Sequence, residues 1–475
     1  MDIQKIRLYG FYKVIGPYRA LPNETHISLR AVQNLITENE EAVPVLPFCH
    51  NLFWKTHPQI EYVTATLNQR SLWPRNAPWI YEFSTTRGFS LHPELNLPSF
   101  WGNLWESVPT EAQKEILSGK MTLVVSNLPE EASPKSIIDI IQSLKKSGAP
   151  ITRCRVLVSG LYRQTALDHI RETTGFQITP IPWFELYTLQ DHQTDARPYR
   201  TDVTSEKDQE HFLKTRRSRK YTMLNRRIAQ APHRILSFLE LLRRNLIDQG
   251  HVSMTWQCLN DPSKSFYDRI QEIEMLSQTQ ASRSARLTEL IQYGYETFAN
   301  GRGAILPKTL DRSFANDSHR KFSNATDDHR SQTIKNYFID SYFSLIAEGF
   351  TTQTGAHDLE APSMISEKVF YPIMNLHPFI ILGEAHSLAR LREYGYKTFS
   401  NWIDESYDDI ESTEDRLFAA LQAAETLCGL SEEQWQIMLS EMWPVLLHNR
   451  AHVQKRVDEF MDDLRAGRVF PNGPT

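Results

Sequence analysis

The stretch of the sequence best suited to chemistry is Ser366-Glu367-Lys368, at the start of an apolar helical pattern. Ser366 is predicted to be the N-cap of this helix, with Ile365 and Phe370 forming a hydrophobic staple around it. Such a helix start offers backbone N–H groups and a partial positive charge, and both favour anions. A carboxylate and an ammonium group in the same turn suit a ligand with hydroxyl and phosphate groups, such as a nucleotide sugar. The alternative interpretation is an ordinary capped helix on the surface.

A second group of polar residues follows a predicted strand. Asn225, Arg226 and Arg227 come directly after the strand predicted at residues 220–224. In open α/β sheets, ligands bind in the crevice at the carboxyl ends of the strands. An arginine at such a strand end can bind a diphosphate through two parallel hydrogen bonds. Arginines on a surface loop are the alternative interpretation.

The elements that must position these residues follow an alternating pattern of strands and helices. In the second half, strands are predicted at the apolar runs 220–224, 251–256, 342–346, 378–382 and 397–399. In the first half, a strand at 121–125, a helix at 134–146 and a strand at 154–158 form a βαβ unit. This order predicts a buried parallel sheet. The predicted fold class is therefore α/β, with a doubly wound sheet in each half.

A polar stretch at residues 191–220 interrupts this pattern and is interpreted as the junction between the halves. It ends in a basic run, residues 214–220, with Lys or Arg at five of seven positions. A solvated linker is the default interpretation of such a run, and contacts with phosphate or nucleic acid are the alternatives. The acidic run at 404–409 is likewise assigned to a solvated loop. The scattered Asp residues of the polar stretch 306–333 do not have the spacing of a metal site.

Taken in order, these segments resemble a known pattern. The sequence Ser-Glu-Lys-Val-Phe at 366–370, then an apolar helix and Pro-Phe-Ile-Ile-Leu-Gly at 378–383, is similar to the donor-binding segment of GT-B glycosyltransferases of the fucosyltransferase and exostosin types. It is closer still to a poorly characterised glycosyltransferase-like group found in bacteria and tailed bacteriophages. In that group a strand with a Glu precedes the Glu-Lys helix, as Glu348 does here, and an Asn-Arg-Arg…Pro-His-Arg segment lies upstream, as at 225–234. The resemblance spans residues 216–410.

The resemblance implies a GT-B architecture. In this architecture two Rossmann-like doubly wound domains face each other across a cleft, and C-terminal helices cross back onto the first domain. The expected divisions are an N-terminal acceptor domain at 1–205, a basic linker at 206–219, a nucleotide-sugar donor domain at 220–410 and C-terminal helices at 411–475.

The resemblance also implies roles for individual residues. The expected donor-binding set is Asn225, Arg226, Arg227, Glu348, Ser366, Glu367 and Lys368. Within this set, Arg227, Lys368 and the capped helix start would bind the diphosphate, and Glu367 or Glu348 would contact the ribose or its surroundings. The donor, a UDP- or GDP-sugar, would be a co-substrate, and neither a cofactor nor a metal is expected.

No single residue stands out as the catalytic base. Glu82 and His92 are candidates because they lie in an aromatic-rich stretch, residues 70–105, whose rings could stack on an acceptor. Core aromatics beneath loops are the alternative interpretation of this stretch, and ordinary loop residues are the alternative for both side chains. A retaining mechanism needs no such base.

The composition narrows the remaining possibilities. A formal charge of −5 and a pI near 6.4 do not indicate a general affinity for nucleic acid. The four cysteines are far apart, which favours buried thiols in a reducing compartment. Residues 1–10 lack a signal-peptide pattern, and no apolar run reaches the roughly 20 residues of a membrane span. A cytoplasmic protein without an integral membrane segment is therefore expected.

Three functions from different classes stay open. The leading one is a glycosyltransferase with a carbohydrate or lipid-linked acceptor. The second is a bacteriophage-type transferase acting on a hydroxymethylated base of DNA, which the basic run and the aromatic stretch would serve and the negative net charge counts against. The third is a non-catalytic binding protein on the same fold, because a fold does not fix a function. The sequence indicates no oligomeric state.

Overall fold

The structure is a computed structural model, and it describes part of the chain. The described residues are 6–15, 60–64, 79–85, 105–106, 108, 110–119, 122–127, 134–176, 178–193, 206–225, 232–254, 268, 270–271, 273–274, 284–298, 336–348, 365–466 and 468. The chain divides into two compact units, Met1–Gln190 with Ala356–Pro362 and Val453–Thr475, and Asp191–Gly355 with Ser363–His452.

The first unit is built on a parallel sheet. Its strands are β1 (Ile6–Ile15), β2 (Ile60–Thr64), β3 (Trp79–Thr85), β4 (Thr122–Asn127), β5 (Cys154–Ser159) and β6 (Thr179–Ile181). They are hydrogen-bonded in the order β2-β1-β3-β4-β5-β6, and each neighbouring pair is parallel. Since β2 and β3 lie on opposite sides of β1, the sheet is wound in both directions. The predicted doubly wound sheet in this half is confirmed.

Helices of the first unit supply an apolar face to this sheet. They are α1 (Thr110–Leu117), α2 (Pro134–Lys146), α3 (Gln164–Thr174) and α4 (Trp183–Gln193). Ile137, Ile141 and Leu144 of α2 are buried in one cluster with Leu123 and Val125 of β4. These helix residues recur every three or four positions, which is the spacing that places side chains on one face of a helix. The βαβ unit predicted from this spacing is present.

The second unit is built on a second parallel sheet. Its strands are β7 (Arg219–Asn225), β8 (Gly250–Met254), β9 (Ser341–Ala347) and β10 (Phe379–Leu382). Its helices are α5 (Glu206–Lys214), α6 (Pro232–Arg243), α7 (Ala285–Phe298), α8 (Glu367–Met374), α9 (Ser387–Glu393), α10 (Thr413–Cys428) and α11 (Glu432–Arg465). The strands are hydrogen-bonded in the order β10-β9-β7-β8, all in parallel. The α/β fold class with two doubly wound parallel sheets is confirmed.

Strands β9 and β10 of this second sheet are mostly apolar because both of their faces are covered. Every residue of β9 and of β10 is buried. Parallel sheets are covered by helices on both faces, so their strands do not alternate between apolar and polar residues. The strands predicted at 342–346 and 378–382 are therefore confirmed, and each predicted end differs from the observed end by at most one residue.

Helix α11 contributes to the core of the second unit. Trp435 is fully buried, and its ring centroid lies 4.9 Å from that of Tyr342 and 5.7 Å from that of Phe343 in β9. The last part of the helix is assigned to the first unit. There, Arg456 Nε donates to the carboxylate of Glu185 in α4 at 2.8 Å.

The strand predicted at 397–399 is wrong. Within the described residues these positions pair with no strand. The side-chain amide of Asn449 in α11 instead accepts the backbone N–H of Lys397 and donates to its carbonyl oxygen, each at 2.8 Å. The N–H of Phe399 donates to the Glu405 carboxylate at 2.5 Å. Side chains thus satisfy backbone groups that a neighbouring strand would otherwise satisfy.

In the part of the chain that the structure describes, no helix combines the length and the apolarity needed to span a membrane.

Candidate ligand-binding site

The order of the second sheet reverses between β7 and β9. Strand β8 lies on one side of β7, whereas β9 and then β10 lie on the other side. At such a point the connections leave in opposite directions and open a crevice at the carboxyl ends of the strands. Asn225 ends β7, Glu348 follows β9, and Glu384 lies just beyond β10. Because the strands are parallel, these positions lie on the same side of the sheet, at the carboxyl ends of its strands.

Glu348 joins the end of β9 to the start of α8. The residue is fully buried, and its carboxylate accepts the backbone N–H of Ser366 at 2.9 Å and the Ser366 hydroxyl at 2.7 Å. Burial raises the pKa of the Glu348 carboxyl, and the Lys368 charge and the two bonds from Ser366 oppose that rise. The start of the helix is therefore held by a carboxylate of the protein itself.

Ser366 is the N-cap of α8, as predicted. Its Oγ accepts the backbone N–H of Lys368 at 3.4 Å and the Lys368 ammonium at 2.9 Å. That ammonium also lies 3.2 Å from the Glu367 carboxylate and 3.9 Å from the Glu348 carboxylate. The side chains of Lys368 and Glu367 are 29% and 27% exposed. Among the predicted residues whose side chains are described, these two reach solvent.

His233 and Arg234, in the first turn of α6, also hold the end of β9. His233 Nε2 lies 2.8 Å and Arg234 Nη2 lies 3.0 Å from the carbonyl oxygen of Glu348. Burial, assisted by the neighbouring Arg234, lowers the pKa of His233 to about 3. His233 is thus neutral at neutral pH and donates through Nε2, because a carbonyl oxygen only accepts. This segment positions the strand end that carries Glu348.

A second buried carboxyl lies near Glu348. Glu384 is 8% exposed, and Ser387 Oγ donates to its backbone carbonyl at 2.8 Å. Within the described residues no hydrogen bond reaches its carboxyl oxygens. Burial raises the pKa of Glu384 to about 7, with Arg390 and Arg416 opposing the rise and Glu348 adding to it. At neutral pH this group is present both as the acid and as the carboxylate.

Arg416, near the start of α10, is a buried cation whose donors bind the surrounding chain. Its guanidinium donates to the carbonyl oxygens of Gly383 (2.9 Å), Ile410 (2.5 Å) and Glu411 (2.9 Å) and to Thr413 Oγ1 (3.2 Å). A small cavity beside it is lined by His233, Ile381, Leu382, Gly383, Thr413, Arg416 and Leu417. Arg416 therefore fixes the loop after β10 and acts on Glu384 through its charge.

The structure brings together four members of the predicted donor-binding set, Glu348, Ser366, Glu367 and Lys368. The backbone of Asn225 lies at the end of β7 on the same sheet edge, and its side chain is not among those described. Arg226 and Arg227 lie outside the described residues.

The two candidate bases lie in the first half of the chain. Glu82 lies in the middle of β3, in register with Tyr12 of β1 and Val124 of β4. Its side chain is not among those described, and His92 lies outside the described residues. Since ligands of parallel sheets bind at the strand ends, the position of Glu82 within the strand does not by itself bring it to such an edge.

Glu384 is absent from the residues predicted for the site, although the sequence contains a signal for it. It is the first acidic residue after the buried strand β10 and is separated from it by Gly383 alone. The rule that ligands bind at strand ends, applied to β10 as it was to β7, identifies this position.

Two cations of the basic run 214–220, Arg217 and Lys220, pack within the second unit, whereas the side chains of Lys214 and Arg216 are 73% and 84% exposed. Arg217 is 5% exposed, and its guanidinium carbon lies 4.8 Å from the ring centroids of both Phe212 and Tyr342. The ammonium of Lys220 donates to a backbone carbonyl just after α10 at 2.5 Å. The interpretation of this run as a solvated linker is wrong for these two cations, and their contacts do not favour a phosphate or nucleic-acid site.

The acidic run 404–409, expected to be a solvated loop, is solvated only in part. Asp408 is buried, and its carboxylate accepts the backbone N–H groups of Leu388 and Ala389 at 2.9 Å each. These N–H groups belong to the first turn of α9, so no residue within the helix can accept hydrogen bonds from them. The run therefore caps a helix beside the candidate site.

The comparisons with known proteins give similar solved structures. The α,α-trehalose-phosphate synthase (UDP-forming) of Burkholderia vietnamiensis is 13% identical over 83% of this chain and 76% of its own, with a TM-score of 0.39. The UDP-forming α,α-trehalose-phosphate synthase of Burkholderia xenovorans is 13% identical over 83% of this chain and 75% of its own, with a TM-score of 0.37. The α,α-trehalose 6-phosphate synthase of Burkholderia multivorans is 12% identical over 98% of this chain and 97% of its own, with a TM-score of 0.40. These values carry no activity over to this chain. No protein-family model and no curated protein matches the sequence.

Proposed function

We propose that the second unit binds a nucleotide sugar at the carboxyl edge of its sheet, and that the protein transfers the sugar to an acceptor hydroxyl. The observation that carries this proposal is the position of Lys368. Its ammonium lies at the Ser366-capped start of α8, 3.9 Å from the carboxylate that ends β9. A partly exposed cation beside the switch point of a doubly wound sheet suits a ligand phosphate.

The proposal assigns the diphosphate to side chains rather than to the helix start alone. Glu348 already occupies the backbone N–H of Ser366, and a phosphate at that position would meet a buried carboxylate. The Lys368 ammonium, bonded to Ser366 and Glu367, would exchange an internal contact for a phosphate oxygen. Arg226 and Arg227, directly after β7, would supply the remaining positive charge.

In the proposed reaction, the acceptor oxygen forms a bond to the anomeric carbon as the bond from that carbon to the diphosphate breaks. The electron pair leaves with the diphosphate, whose charge Lys368 and the arginines stabilise. Glu367, partly exposed beside Lys368, would accept hydrogen bonds from ribose hydroxyls. Glu82 and His92 stay candidates for taking the acceptor proton in an inverting reaction. These cations offset the departing charge without a metal ion.

A thermal-shift screen with UDP, GDP, ADP and their sugars tests the proposal directly. A ligand at about 100 times its Kd stabilises the native state by about 2.7 kcal/mol, so a true donor raises the melting temperature. We expect one nucleotide to act, as the diphosphate and as its sugar, and the sugar to be hydrolysed slowly without an acceptor. A screen in which no nucleotide shifts the transition would refute the proposal. Binding without any turnover would favour a non-catalytic binding protein.

A further inference from the structure

The solvent-facing side of helix α11 carries exposed apolar side chains. Among the described residues, the exposed large apolar side chains are Leu117, Ile437 and Leu447, and the last two lie on this helix. Ile437 is 62% exposed and Leu447 is 40% exposed. Single exposed apolar residues are common on protein surfaces. Their arrangement along the helix therefore decides whether they belong to an interface.

A set of exposed residues forms one stripe along α11, from Glu433 to Lys455. The set recurs at intervals of three or four residues, which keeps its members on one face of a helix. The same spacing is found where two helices pack side by side along their length. At 1.5 Å per residue the stripe is roughly 33 Å long. Between its two ends, its members are Ile437, Ser440, Pro444, Leu447 and Ala451.

The stripe is complementary to itself when a second copy runs in the opposite direction. With a two-fold axis at Pro444, each residue faces the residue that lies equally far from Pro444 on the other side. Glu433 and Lys455 are each 11 positions from Pro444, and Ile437 and Ala451 are each seven positions from it. Opposite charges therefore meet at both ends of the stripe, and a large side chain meets a small one within it.

We propose that two copies of this chain associate through antiparallel contact of their α11 helices, with the two-fold axis at Pro444. In such a symmetric interface both copies use the same patch, so every contact occurs twice. Leu447 faces Glu441 of the second copy, because each lies three positions from Pro444. The Glu441 carboxylate accepts the indole N–H of Trp402 at 2.7 Å, which holds its carbon chain beside the stripe, where it covers the leucine.

The charges at the two ends of the stripe are available for contact between copies. Within the described residues, the Glu433 carboxylate has no hydrogen-bond or ion-pair partner. The Lys455 ammonium lies 3.6 Å from the carboxylate of Glu459, and an exposed pair of this kind contributes little. Two helices in contact bury less than about 1,200 Å², which is typical of transient interfaces. We therefore expect a dissociation constant on the order of tens of micromolar, so that the chain is monomeric in dilute solution.

The experiment is sedimentation equilibrium of the full chain at concentrations below and above this constant. Wild type is compared with Glu433→Lys, Lys455→Glu and the double variant that carries both changes. Each single change places like charges at both ends of the stripe and should weaken association about tenfold. The double variant restores opposite charges and should recover the wild-type constant. Because the two residues are roughly 33 Å apart in one helix, this recovery can arise only between copies.

A second pair of variants tests the apolar part of the stripe. Ile437→Glu introduces a charge where an apolar side chain faces Ala451 of the second copy, and it should weaken association at least tenfold. Leu117→Glu makes a similar change at the exposed end of α1, outside the stripe. This control should associate like wild type.

Two results would overturn the proposal. One is a wild-type chain that stays monomeric at ten times the expected dissociation constant. The other is a dimer of equal strength in wild type, Glu433→Lys and Ile437→Glu, since the interface would then lie elsewhere on the molecule. Circular dichroism of the variants confirms that they are folded.

Discussion

Two glutamates at adjacent strand ends differ in the hydrogen bonds that the surrounding residues donate to their carboxyl groups. Glu348 and Glu384 follow β9 and β10, both are buried, and burial raises the pKa of both. Ser366 donates two hydrogen bonds to Glu348, whereas in the described residues Glu384 receives none on its carboxyl. The first glutamate is therefore a positioning residue of the helix start. The second costs stability in the free protein at high pH, because burial disfavours its ionised form.

Replacing Glu384 by Gln should stabilise the free protein at high pH. Because the folded-state pKa, about 7, exceeds the ordinary 4.5, the folded protein holds this proton more tightly than the unfolded chain. Wild-type stability therefore falls as pH rises from 4.5 to 7, and Gln removes that loss. We expect urea denaturation to give a gain of up to about 3 kcal/mol at pH 8 and almost none near pH 4.5. An equal effect at both pH values would contradict the assigned protonation.

Lys368 is the residue on which nucleotide binding depends most directly. Lys368→Ala should weaken binding of the nucleoside diphosphate about tenfold or more, because a charge-assisted hydrogen bond is worth roughly 1.5–3 kcal/mol. Arg227→Ala should have an effect of the same kind. Lys397→Ala, which removes an exposed lysine of the same unit, is the matched control in calorimetric titration. Equal affinities for Lys368→Ala and the control would reject the assigned phosphate contact.

Helix starts beside the candidate site are occupied by carboxylates of the protein. Glu348 binds the N-cap of α8, and Asp408 binds two backbone N–H groups at the start of α9. A helix start attracts anions in general, but a start that already holds a carboxylate repels a phosphate. Recognition of a phosphate at this edge therefore falls on lysine and arginine side chains. For this reason the proposed site binds phosphate through side chains and not through the helix dipole alone.

The cap of α9 can be tested by comparing two neighbouring aspartates. Asp408→Ala leaves the buried N–H groups of Leu388 and Ala389 without their acceptor. We expect a loss of about 2 kcal/mol in the free energy of unfolding. Asp409, whose side chain is 77% exposed, is the control, and Asp409→Ala should change stability by less than about 0.5 kcal/mol. Similar values for the two variants would show that the cap contributes little.

At the scale of the whole molecule, the C-terminal helix is part of the fold rather than an appendage. Trp435 of α11 stacks on two aromatic residues of β9. Asn449 of the same helix satisfies the backbone of Lys397. The strand that carries Glu348 is thus packed against a helix formed by residues some 90 positions later in the chain.

Trp435→Ala tests this dependence. Removing a fully buried tryptophan should cost about 3–5 kcal/mol, since it deletes apolar contacts and leaves a cavity. Ile437, on the same helix and 62% exposed, gives the control Ile437→Ala, with an expected change below about 0.5 kcal/mol. Urea unfolding followed by circular dichroism measures both. If Trp435→Ala unfolds at the control's urea concentration, α11 does not stabilise the second sheet.

A feature was predicted correctly from the sequence when the residues that determine it are close together in the chain. The strands around 342–346 and 378–382 and the N-cap Ser366 are confirmed, because each follows from neighbours in the sequence. The strand expected at 397–399 is wrong because its backbone partner is a side chain 52 residues away. Local apolarity cannot reveal such a partner.

The sequence by itself determined the two parallel sheets and the helices on them, because the period of the apolar residues sets both local structure and burial. The tertiary structure decided which charged side chains form hydrogen bonds or packing contacts within the protein and which do not. Glu348 and Asp408 are satisfied by groups 18 and 20 residues away, and Arg217 lies against Tyr342, far along the chain. Whether a buried charge has a partner depends on such distant residues, which local patterns in the sequence do not reveal.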